Sequence, residues 1–314
     1  MEAVKISIVI PVYNSENCLL ELNREIEKEL LHFTDYELIL VNDKSTDASW
    51  KKIEEICSIN EKAIGINFRK NFGQDSALLA GLRQSTGAYV VIMDDDLQHA
   101  PSDIIHLYNK CKEGFDVCYA FFSRKNQKAW KNFGSWVNGK LSEKFLNKPK
   151  SIYLSPFKIM SRAITDEVKK FAGPFPYIDG TILTVTSNLT QIEVPHHPRF
   201  VGSGNYSFVR SLKVFVKHAT NYSIYPLRMV SAVGFGSALI SFILGIFYLV
   251  QYFMGDRGVE GWITIIILLI FFGGMILMSL GLIGEYVGRN FLSVNGHPQF
   301  VIEKIIHKKT ILNS

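Results

Sequence analysis

The sequence predicts an α/β domain with a mostly parallel sheet, followed by two membrane-spanning helices. In the amino-terminal part of the chain, short apolar runs typical of strands alternate with longer runs typical of helices. Such alternation builds a parallel sheet with helices on both faces. Further along, the chain contains two long stretches without a charged residue, each long enough to cross the hydrocarbon core of a bilayer as a helix.

The α/β part is predicted as strands and helices in alternation. The strands are expected at Lys5–Val12, Glu37–Asn42, Ala63–Phe68, Tyr89–Met93 and Val117–Phe121. The helices are expected near Glu16–Phe33, Thr46–Asn60, Gln74–Gln84 and Ser102–Glu113. Because open α/β sheets bind ligands outside the carboxyl ends of their strands, the loops that follow these strands form the predicted site.

The two apolar stretches are Met229–Phe253 and Trp262–Gly284, joined by a short loop at 254–261. The alternative, a pair of helices buried in a soluble core, is disfavoured because uninterrupted apolar runs of this length are uncommon in soluble domains. Lysine and arginine precede the first stretch and follow the second, so the positive-inside rule places both long ends in the cytoplasm. The amino terminus does not match a signal peptide. The prediction is a multi-pass protein of the inner (cytoplasmic) membrane with a cytosolic catalytic domain and carboxyl terminus.

Four regions follow from this organisation: an α/β domain at 1–205, a juxtamembrane segment at 206–228, the two spans at 229–284 and a cytosolic tail at 285–314. In the juxtamembrane segment, Arg210, Lys213 and Lys217 recur at helical spacing beside apolar residues. This pattern is typical of an amphipathic helix on a bilayer surface. The alternative is an ordinary surface helix with a solvated basic face.

The strongest chemical signal follows the predicted fourth strand, in the run Ile92-Met-Asp-Asp-Asp-Leu-Gln98. Side chains alternate along an extended backbone, so Asp94, Asp96 and Gln98 share one side and offer oxygen ligands to a hard cation, Mg²⁺ or Mn²⁺. Asp95 then points the other way. The alternative is a solvated acidic loop, which is the commoner meaning of an isolated Asp-x-Asp.

No glycine-rich phosphate loop follows the first strand, where the chain reads Pro11-Val-Tyr-Asn-Ser-Glu16. If a nucleotide diphosphate binds, Asp94 and Asp96 can meet its charge only through a bridging metal ion. That arrangement is typical of sugar-nucleotide chemistry, in which a metal stabilises the charge on a departing diphosphate. Asp43, at the end of the second strand, is placed to accept a hydrogen bond from a base or ribose.

Several motifs, taken together, indicate a family. They are Ile10-Pro-Val-Tyr-Asn14, Val41-Asn-Asp-Lys-Ser-Thr-Asp47, Asn71-Phe-Gly-Gln74, Asp94-Asp-Asp-Leu-Gln98, Tyr177-Ile-Asp-Gly180, His196-His-Pro-Arg199, Ser203-Gly-Asn-Tyr-Ser207, Pro226-Leu-Arg228 and Gly281-Leu-Ile-Gly-Glu-Tyr-Val-Gly-Arg289. With the paired apolar stretches, they resemble family 2 glycosyltransferases of the polyprenyl-phosphate type over nearly the whole chain. The resemblance is greatest to bacterial enzymes that load undecaprenyl phosphate with glucose, N-acetylglucosamine or 4-deoxy-4-formamido-arabinose. Dolichyl-phosphate mannose synthase is a more distant relative.

The resemblance implies a GT-A fold and transfer of one sugar from a nucleotide donor, most often UDP-linked, to a lipid phosphate at the cytoplasmic leaflet. It implies Mg²⁺ or Mn²⁺ as cofactor, held by Asp94, Asp96 and Gln98. The residues that it assigns to the nucleotide sugar are Pro11, Tyr13, Asn14, Glu16, Asp43, Asp94 and Asp95. Asp179 is a candidate contact for a sugar hydroxyl, with a plain loop residue as the alternative.

The resemblance also assigns basic residues to phosphates. Arg199 would hold a phosphate near the donor, Arg124 is the candidate for a second contact, and both join Asp96 in the predicted catalytic set. The lipid phosphate is assigned to Arg199, Arg210, Lys213 and Arg228.

One acidic position common among relatives is absent. Many relatives carry an acid, sometimes proposed as a base, where this chain reads Tyr153-Leu-Ser-Pro-Phe157. The acceptor is a phosphate monoester whose second pKa lies near ~6, so its oxygen is largely ionised at neutral pH. A nucleophile that is already deprotonated needs no general base, and direct displacement would invert the anomeric centre.

Other functions fit parts of the sequence. A processive polysaccharide synthase is disfavoured, because such enzymes usually carry a Gln-x-x-Arg-Trp motif and more spans, and neither occurs in this sequence. A catalytically silent sugar-nucleotide sensor or scaffold would retain the fold; the missing acid near Pro156 favours it, whereas the complete Asp94, Asp96 and Gln98 set argues against it. Nucleic-acid binding has little support because the chain contains no recognisable module for it. Similar membrane enzymes form tetramers, and a homo-oligomer is expected here.

Overall fold

The computed structural model describes residues 5–30, 35–121, 149, 152–195, 225–254 and 261–307. The chain forms two compact units. The first, here called the sheet domain, comprises Met1–Ser211 together with Pro298–Ser314, and the second, the helical unit, comprises Leu212–His297. The described residues from Pro298 to His307 thus group with the sheet domain, and the four regions that the sequence predicts, including a tail at 285–314, stay a prediction.

In the described residues, the sheet domain contains one sheet of eight strands in the order β7-β5-β6-β4-β1-β2-β3-β8. The strands are β1 (Ile6–Val12), β2 (Tyr36–Asn42), β3 (Ala63–Phe68), β4 (Tyr89–Ile92), β5 (Val117–Phe121), β6 (Lys158–Ser161), β7 (Leu189–Glu193) and β8 (Ile302–His307). The helices of this domain are α1 (Leu19–Leu30), α2 (Ser49–Ile59), α3 (Gln74–Gln84), α4 (Asp103–Lys112), α5 (Arg162–Lys169) and α6 (Ile178–Val185).

The four central strands, β4, β1, β2 and β3, run parallel. The register joins Val12 of β1 to Asn42 of β2, and Val9 of β1 to Ile92 of β4. Every residue of β1, β2 and β3 is buried, because helices cover both faces of the sheet. The carboxyl ends of β1, β2 and β4 therefore meet at the same edge, where the loops that follow them converge.

Two apolar clusters, one on each face of the sheet, hold the helices in place. Successive residues of one strand enter different clusters, with Ile8 and Ile10 in the first and Val9 in the second. The first cluster contains residues of α1, α2 and α4, and the second contains residues of α3, α5 and α6. At Gly81, an added Cβ would lie 2.3 Å from the side chain of Val9, so glycine allows α3 to approach β1 closely.

The predicted α/β class is confirmed, and each predicted strand and helix of the first part of the chain is present. The sheet is mixed, because β6 lies antiparallel between β4 and β5, and β8 lies antiparallel on the outer side of β3. Strands β6, β7 and β8 are not among the strands predicted from the sequence. β6 has only four residues and includes Lys158, while β8 includes Glu303 and Lys304, so neither shows the apolar run of a buried strand.

The helical unit contains two long helices, α7 (Tyr225–Phe253) and α8 (Trp262–Val294). Among the described residues, length and apolar composition qualify one segment, Phe271–Val294, to cross a membrane, and a shorter apolar segment occupies Val230–Leu244. α8 continues beyond Gly284, the predicted end of the second span. The predicted pair of spans therefore stays a prediction.

At the opposite end of the parallel strands, where they begin, a buried carboxylate joins neighbouring segments of the chain. Glu37 is 5% exposed and accepts hydrogen bonds from the Ser7 hydroxyl at 2.6 Å and the Thr86 N–H at 2.6 Å. The ammonium of Lys5 lies 2.8 Å from the same carboxylate. Burial alone raises the pKa of Glu37, but the hydrogen bonds from Lys5, Ser7 and Thr86 outweigh it and lower the pKa below its usual value.

Replacing this carboxylate should destabilise the protein. We expect Glu37→Gln to lower the free energy of unfolding by about 1–3 kcal/mol at neutral pH, since donors that pair with a buried charge are left with a weaker acceptor. Chemical denaturation of the purified protein measures this. The folded-state pKa lies below the ordinary value, so the stabilisation is complete above the ordinary pKa and is lost as the pH falls through the folded-state pKa. The free energies of unfolding of the wild-type protein and of Glu37→Gln should therefore converge at acidic pH.

Glu55→Gln is the matched control, because the Glu55 carboxylate pairs with Lys52 at the surface. An equal loss of stability in Glu37→Gln and Glu55→Gln would contradict the conclusion that the buried hydrogen bonds of Glu37 stabilise the fold.

Candidate active site

Three loops at the carboxyl edge of the sheet form the candidate site: 13–18 after β1, 43–48 after β2 and 93–102 after β4. Each loop contains one non-glycine residue with positive φ, Asn14 at 54°, Lys44 at 55° and Leu97 at 59°. Within the described residues, no other non-glycine residue has positive φ. Such conformations are uncommon and concentrate at functional sites. The backbone and the sequence motifs therefore mark the same loops.

Side chains of the first loop hold the second loop through its backbone. The Asn14 Oδ1 accepts a hydrogen bond from the Thr46 N–H at 2.8 Å, and the Asn14 N–H donates to the Ser45 Oγ at 3.0 Å. The Glu16 Oε2 accepts from the Ala48 N–H at 2.7 Å, just before α2, where the helix dipole favours a negative charge. Asn14 and Glu16, both predicted to bind the donor, thus fix the relative positions of the first two loops.

The first loop is also joined to the third. The Tyr13 N–H donates to the Asp95 Oδ2 at 3.3 Å. Burial raises the pKa of Asp95 to about 6, although the hydrogen bonds from Ser15 and Tyr13 oppose it. Tyr13 remains 50% exposed. Asp95 therefore connects two loops of the site, and a half-exposed aromatic ring lies at their edge.

Asp43 organises the start of α3. Its side chain is 4% exposed, and its carboxylate oxygens accept hydrogen bonds from the Phe72 N–H at 2.7 Å and the Gly73 N–H at 2.8 Å. The Asn71 Nδ2 donates to the Asp43 carbonyl at 3.2 Å. Burial raises the pKa of Asp43, and the backbone hydrogen bonds offset only part of that rise. Since a carboxylate has about four lone-pair sites, a further hydrogen bond from a nucleotide is compatible with these contacts.

The acidic segment after β4 is not extended. β4 ends at Ile92, the backbone bends through 95–97, and Leu97 has positive φ. The Asp96 Oδ1 accepts a hydrogen bond from the Gln98 N–H at 3.2 Å, which closes a local turn. The expectation that strand alternation places Asp94, Asp96 and Gln98 on one side is therefore wrong in its premise, because the strand ends before these residues.

Asp94 contacts two residues, Gln74 and His99, that are not among the predicted site residues. The Nε2 of Gln74, the first residue of α3, donates to the Asp94 Oδ1 at 2.9 Å. The Asp94 N–H donates to the Nδ1 of His99 at 3.4 Å, and the His99 ring stacks on Phe157 with centroids 5.0 Å apart. Gln74 is the last residue of the motif Asn71-Phe-Gly-Gln74, and His99 directly follows Gln98. Their positions within or beside these motifs are the sequence features that could have indicated them as site residues.

The donor atoms of the acidic loop suit Mg²⁺ or Mn²⁺. The carboxylate oxygens of Asp94 and Asp96 and the amide oxygen of Gln98 are hard ligands of the kind that these ions prefer. Among the described residues, no three Asp, Glu, His or Cys side chains gather closely enough to hold a metal by themselves. This donor set fits an ion that takes further ligands from a bound diphosphate or water, and it does not fit a closed structural site.

Asp179 belongs to a buried polar cluster. It lies in the first turn of α6, so the alternative of a plain loop residue is wrong. Its Oδ1 forms an ion pair with the Lys158 Nζ and accepts a hydrogen bond from the Tyr119 hydroxyl at 3.0 Å. Lys158 is 2% exposed, and burial together with Asp179 raises the pKa of Tyr119 well above its usual value. A contact from Asp179 to a sugar stays a prediction.

The segment before β6 offers no acid. Ser155 is fully buried, and its Oγ accepts a hydrogen bond from the Phe157 N–H at 3.2 Å. The hydroxyl of Ser155 therefore shapes the turn into β6. Nothing between Ile152 and Phe157 carries a carboxylate.

Several predicted phosphate contacts lie outside the described residues. These are Arg124, Arg199, Arg210 and Lys213. Arg228 lies in α7, but its side chain is not among those that the structure describes. Their assignment to phosphates stays a prediction.

Comparison with known proteins identifies the family. The sequence model of glycosyl transferase family 2 matches residues 7–169. The chain belongs to this family. This glycosyltransferase is 32% identical to the undecaprenyl-phosphate 4-deoxy-4-formamido-L-arabinose transferase of Proteus mirabilis (strain HI4320), over 97% of this chain and 95% of that protein. It is 26% identical to the prophage bactoprenol glucosyl transferase homolog of Escherichia coli (strain K12), over 96% of this chain and 99% of that protein.

A solved structure has a similar fold. Glucosyl-3-phosphoglycerate synthase from Mycobacterium tuberculosis, in complex with Mn²⁺ and uridine-diphosphate-glucose, matches with a TM-score of 0.52. The match covers 70% of this chain and 79% of that chain at 18% identity. At this identity the likeness establishes the fold alone, and the predicted Rossmann-like GT-A domain is confirmed.

The buried cluster around Asp179 predicts a strong effect of removing one charge. Lys158→Met should lower the free energy of unfolding by about 3–5 kcal/mol, because it leaves a carboxylate without its cation in the interior. The double variant Lys158→Met, Asp179→Leu should recover most of this loss. Denaturation of the full-length protein measures both.

Lys170→Met is the control, since Lys170 pairs with Glu167 at the surface. If the double variant were as unstable as the sum of its single changes, the two side chains would not act as a pair.

Proposed function

We propose that this glycosyltransferase moves a single sugar from a UDP-linked donor to a polyprenyl phosphate, undecaprenyl phosphate, at the cytoplasmic face of the membrane. Its similarity to an undecaprenyl-phosphate sugar transferase over nearly the whole length of both proteins carries the proposal. The apolar helices support it as well, since an acceptor with a polyprenyl tail resides in the bilayer. The product would be a lipid-linked sugar for modification of cell-envelope glycans.

The membrane attachment that we propose consists of two spans, Met229–Phe253 and Trp262–Gly284, with both long ends in the cytoplasm. Large apolar side chains are exposed along α7 and α8, including Phe235, Phe242, Leu269 and Leu277. Apolar surface of this extent is typical of contact with lipid. Lysine and arginine before the first span suit anionic headgroups, and Arg199, Arg210, Lys213 and Arg228 would bind the lipid phosphate.

The donor nucleotide would bind across the first two loops. The exposed ring of Tyr13 offers a face on which a base can stack. Pro11 lies at the end of β1, and Asp43 would accept a hydrogen bond from the base or ribose. The hydrogen bonds that join the loops would keep these groups in place before the donor arrives.

Asp94, Asp96 and Gln98 would hold Mg²⁺ or Mn²⁺, which neutralises charge on the departing diphosphate when bound. An oxygen of the acceptor phosphate forms the new bond to the anomeric carbon, while the bond from that carbon to the donor diphosphate breaks. Attack opposite the leaving group inverts the anomeric centre. Arg199 and Arg124 would orient the phosphates by charge. No proton must be removed from an ionised acceptor, which agrees with the lack of an acid at Ser155.

Transfer of radiolabelled sugar to undecaprenyl phosphate tests the proposal. The purified protein is supplied with UDP-, GDP- and TDP-sugars in turn, with Mg²⁺, with Mn²⁺ and with a chelator. We expect product from one donor, abolished by the chelator, and a loss of at least about 100-fold in Asp96→Ala, because charge on the leaving group is no longer neutralised.

Asp166→Ala is the matched control, since Asp166 is an exposed aspartate that pairs with Arg162 and Lys169. Full activity in the presence of chelator would contradict the proposed metal. Metal-dependent binding of a nucleotide sugar without transfer of any sugar would favour the sensor or scaffold.

The ionisation of the acceptor predicts the pH dependence. With saturating donor and metal, kcat/KM for undecaprenyl phosphate should fall as the pH drops below about 6, where the phosphate monoester gains a proton. Above about 8 the rate should be constant, since a phosphate monoester with a second pKa of about 6 is then almost completely ionised. Initial rates from pH 5 to 9 (on the order of nine points) measure this. A rate that keeps rising above neutrality would indicate a protein base instead.

A further inference from the structure

The strand β8 places one carboxylate beside the loops of the candidate site. β8 pairs antiparallel with β3 at the edge of the sheet, and Glu303 lies near its start. The Glu303 Oε2 accepts hydrogen bonds from the Lys44 Nζ at 2.9 Å and from the Asn67 Nδ2 at 3.1 Å. Glu303, although distant in sequence, therefore contacts both the loop after β2 and the end of β3.

These contacts continue inward through buried amides. The Asn67 Oδ1 accepts from the Asn42 Nδ2 at 2.7 Å, and the Asn42 Oδ1 accepts from the Ser45 Oγ at 2.5 Å. The Ser45 Oγ accepts in turn from the Asn14 N–H at 3.0 Å. Hydrogen bonds thus run without a break from Glu303 to the loop after β1. Connected buried networks of this kind favour one arrangement of their members.

Lys44, which donates to Glu303 at the outer end of this network, has an unusual backbone conformation. Its φ of 55° lies in the left-handed region, which a residue other than glycine adopts only when the surrounding structure enforces it. The hydrogen bond and charge of Lys44 lower the pKa of Glu303, so the carboxylate is ionised at neutral pH. Half-exposed ion pairs contribute little to stability. The effect of Glu303 should therefore come from its two contacts together, with Lys44 and with the buried Asn67, because together they fix the geometry of the loop.

We propose that Glu303 is a positioning residue for the donor nucleotide. It acts through Lys44 and Asn67 to hold the loops after β1 and β2 in the arrangement that binds the nucleotide, without contacting the nucleotide itself. This inference rests on the proposed function. It adds that the donor site is complete only when the carboxyl-terminal strand is paired with β3.

Isothermal titration of the full-length protein with UDP and Mn²⁺ tests the inference, with GDP and TDP as parallel probes. We expect Glu303→Ala to weaken nucleotide binding about tenfold, while the melting temperature changes by less than about 2 °C. Glu303→Gln should lose less, because its amide oxygen still accepts from Asn67. In transfer assays, the KM for the donor should rise while kcat stays near the wild-type value.

Lys304→Ala is the matched control, since Lys304 lies on the same strand and pairs with Glu54, outside the network. Nucleotide affinity that is unchanged in Glu303→Ala, or equally weakened in Lys304→Ala, would overturn the inference. A fall in affinity that merely follows a fall in melting temperature would also overturn it. If Glu303→Ala does not fold, Glu303→Gln decides by the same measurements. If the wild-type protein binds none of the three nucleotides, the proposed function itself fails.

Discussion

Hydrogen bonds between the loops at the carboxyl edge of the sheet are the constraint on which the candidate site depends. The chain has no glycine-rich loop there, and Asn14, Lys44 and Leu97 carry the left-handed conformations that glycine would adopt more easily. Each of these loops is fixed by side chains of another element. Asn14 and Glu16 hold the loop after β2, and the Tyr13 N–H reaches Asp95 in the loop after β4. The candidate site is thereby assembled without a phosphate-binding glycine loop.

The acidic residues of the sheet domain differ in the groups with which they pair. Glu37 and Asp179 satisfy buried donors, and Asp43 and Asp95 bind backbone N–H groups of neighbouring loops. These pairings explain why a carboxylate is tolerated at places that are fully or partly removed from water. Asp94 and Asp96 lie in the loop after β4, whose oxygens suit a hard cation, and they accept hydrogen bonds from Gln74 and from the Gln98 N–H. The distinction depends on partners that are distant in sequence, so composition alone does not reveal it.

Sequence patterns predicted the centre of the sheet well because β1 to β4 and their helices have clear periodicity and buried apolar faces. Prediction failed where tertiary pairing overrides local pattern. β6 contains the buried Lys158, whose partner Asp179 comes later in the chain, and β8 is a charged strand that pairs with the distant β3. The alternation argument for the acidic run failed because β4 ends at Ile92. That argument had selected Asp94, Asp96 and Gln98 over Asp95, so their selection now rests on residue type and on the resemblance, and it stays a prediction.

Hydrogen–deuterium exchange of the full-length protein, with and without UDP and Mn²⁺, tests the central claim most directly. The claim is that a nucleotide binds where the loops after β1, β2 and β4 converge and hold one another. The account predicts slower exchange in 13–18, 43–48 and 93–102 together, with no change at 85–88 on the opposite edge of the sheet. Protection of other segments that leaves these three loops unchanged would contradict it.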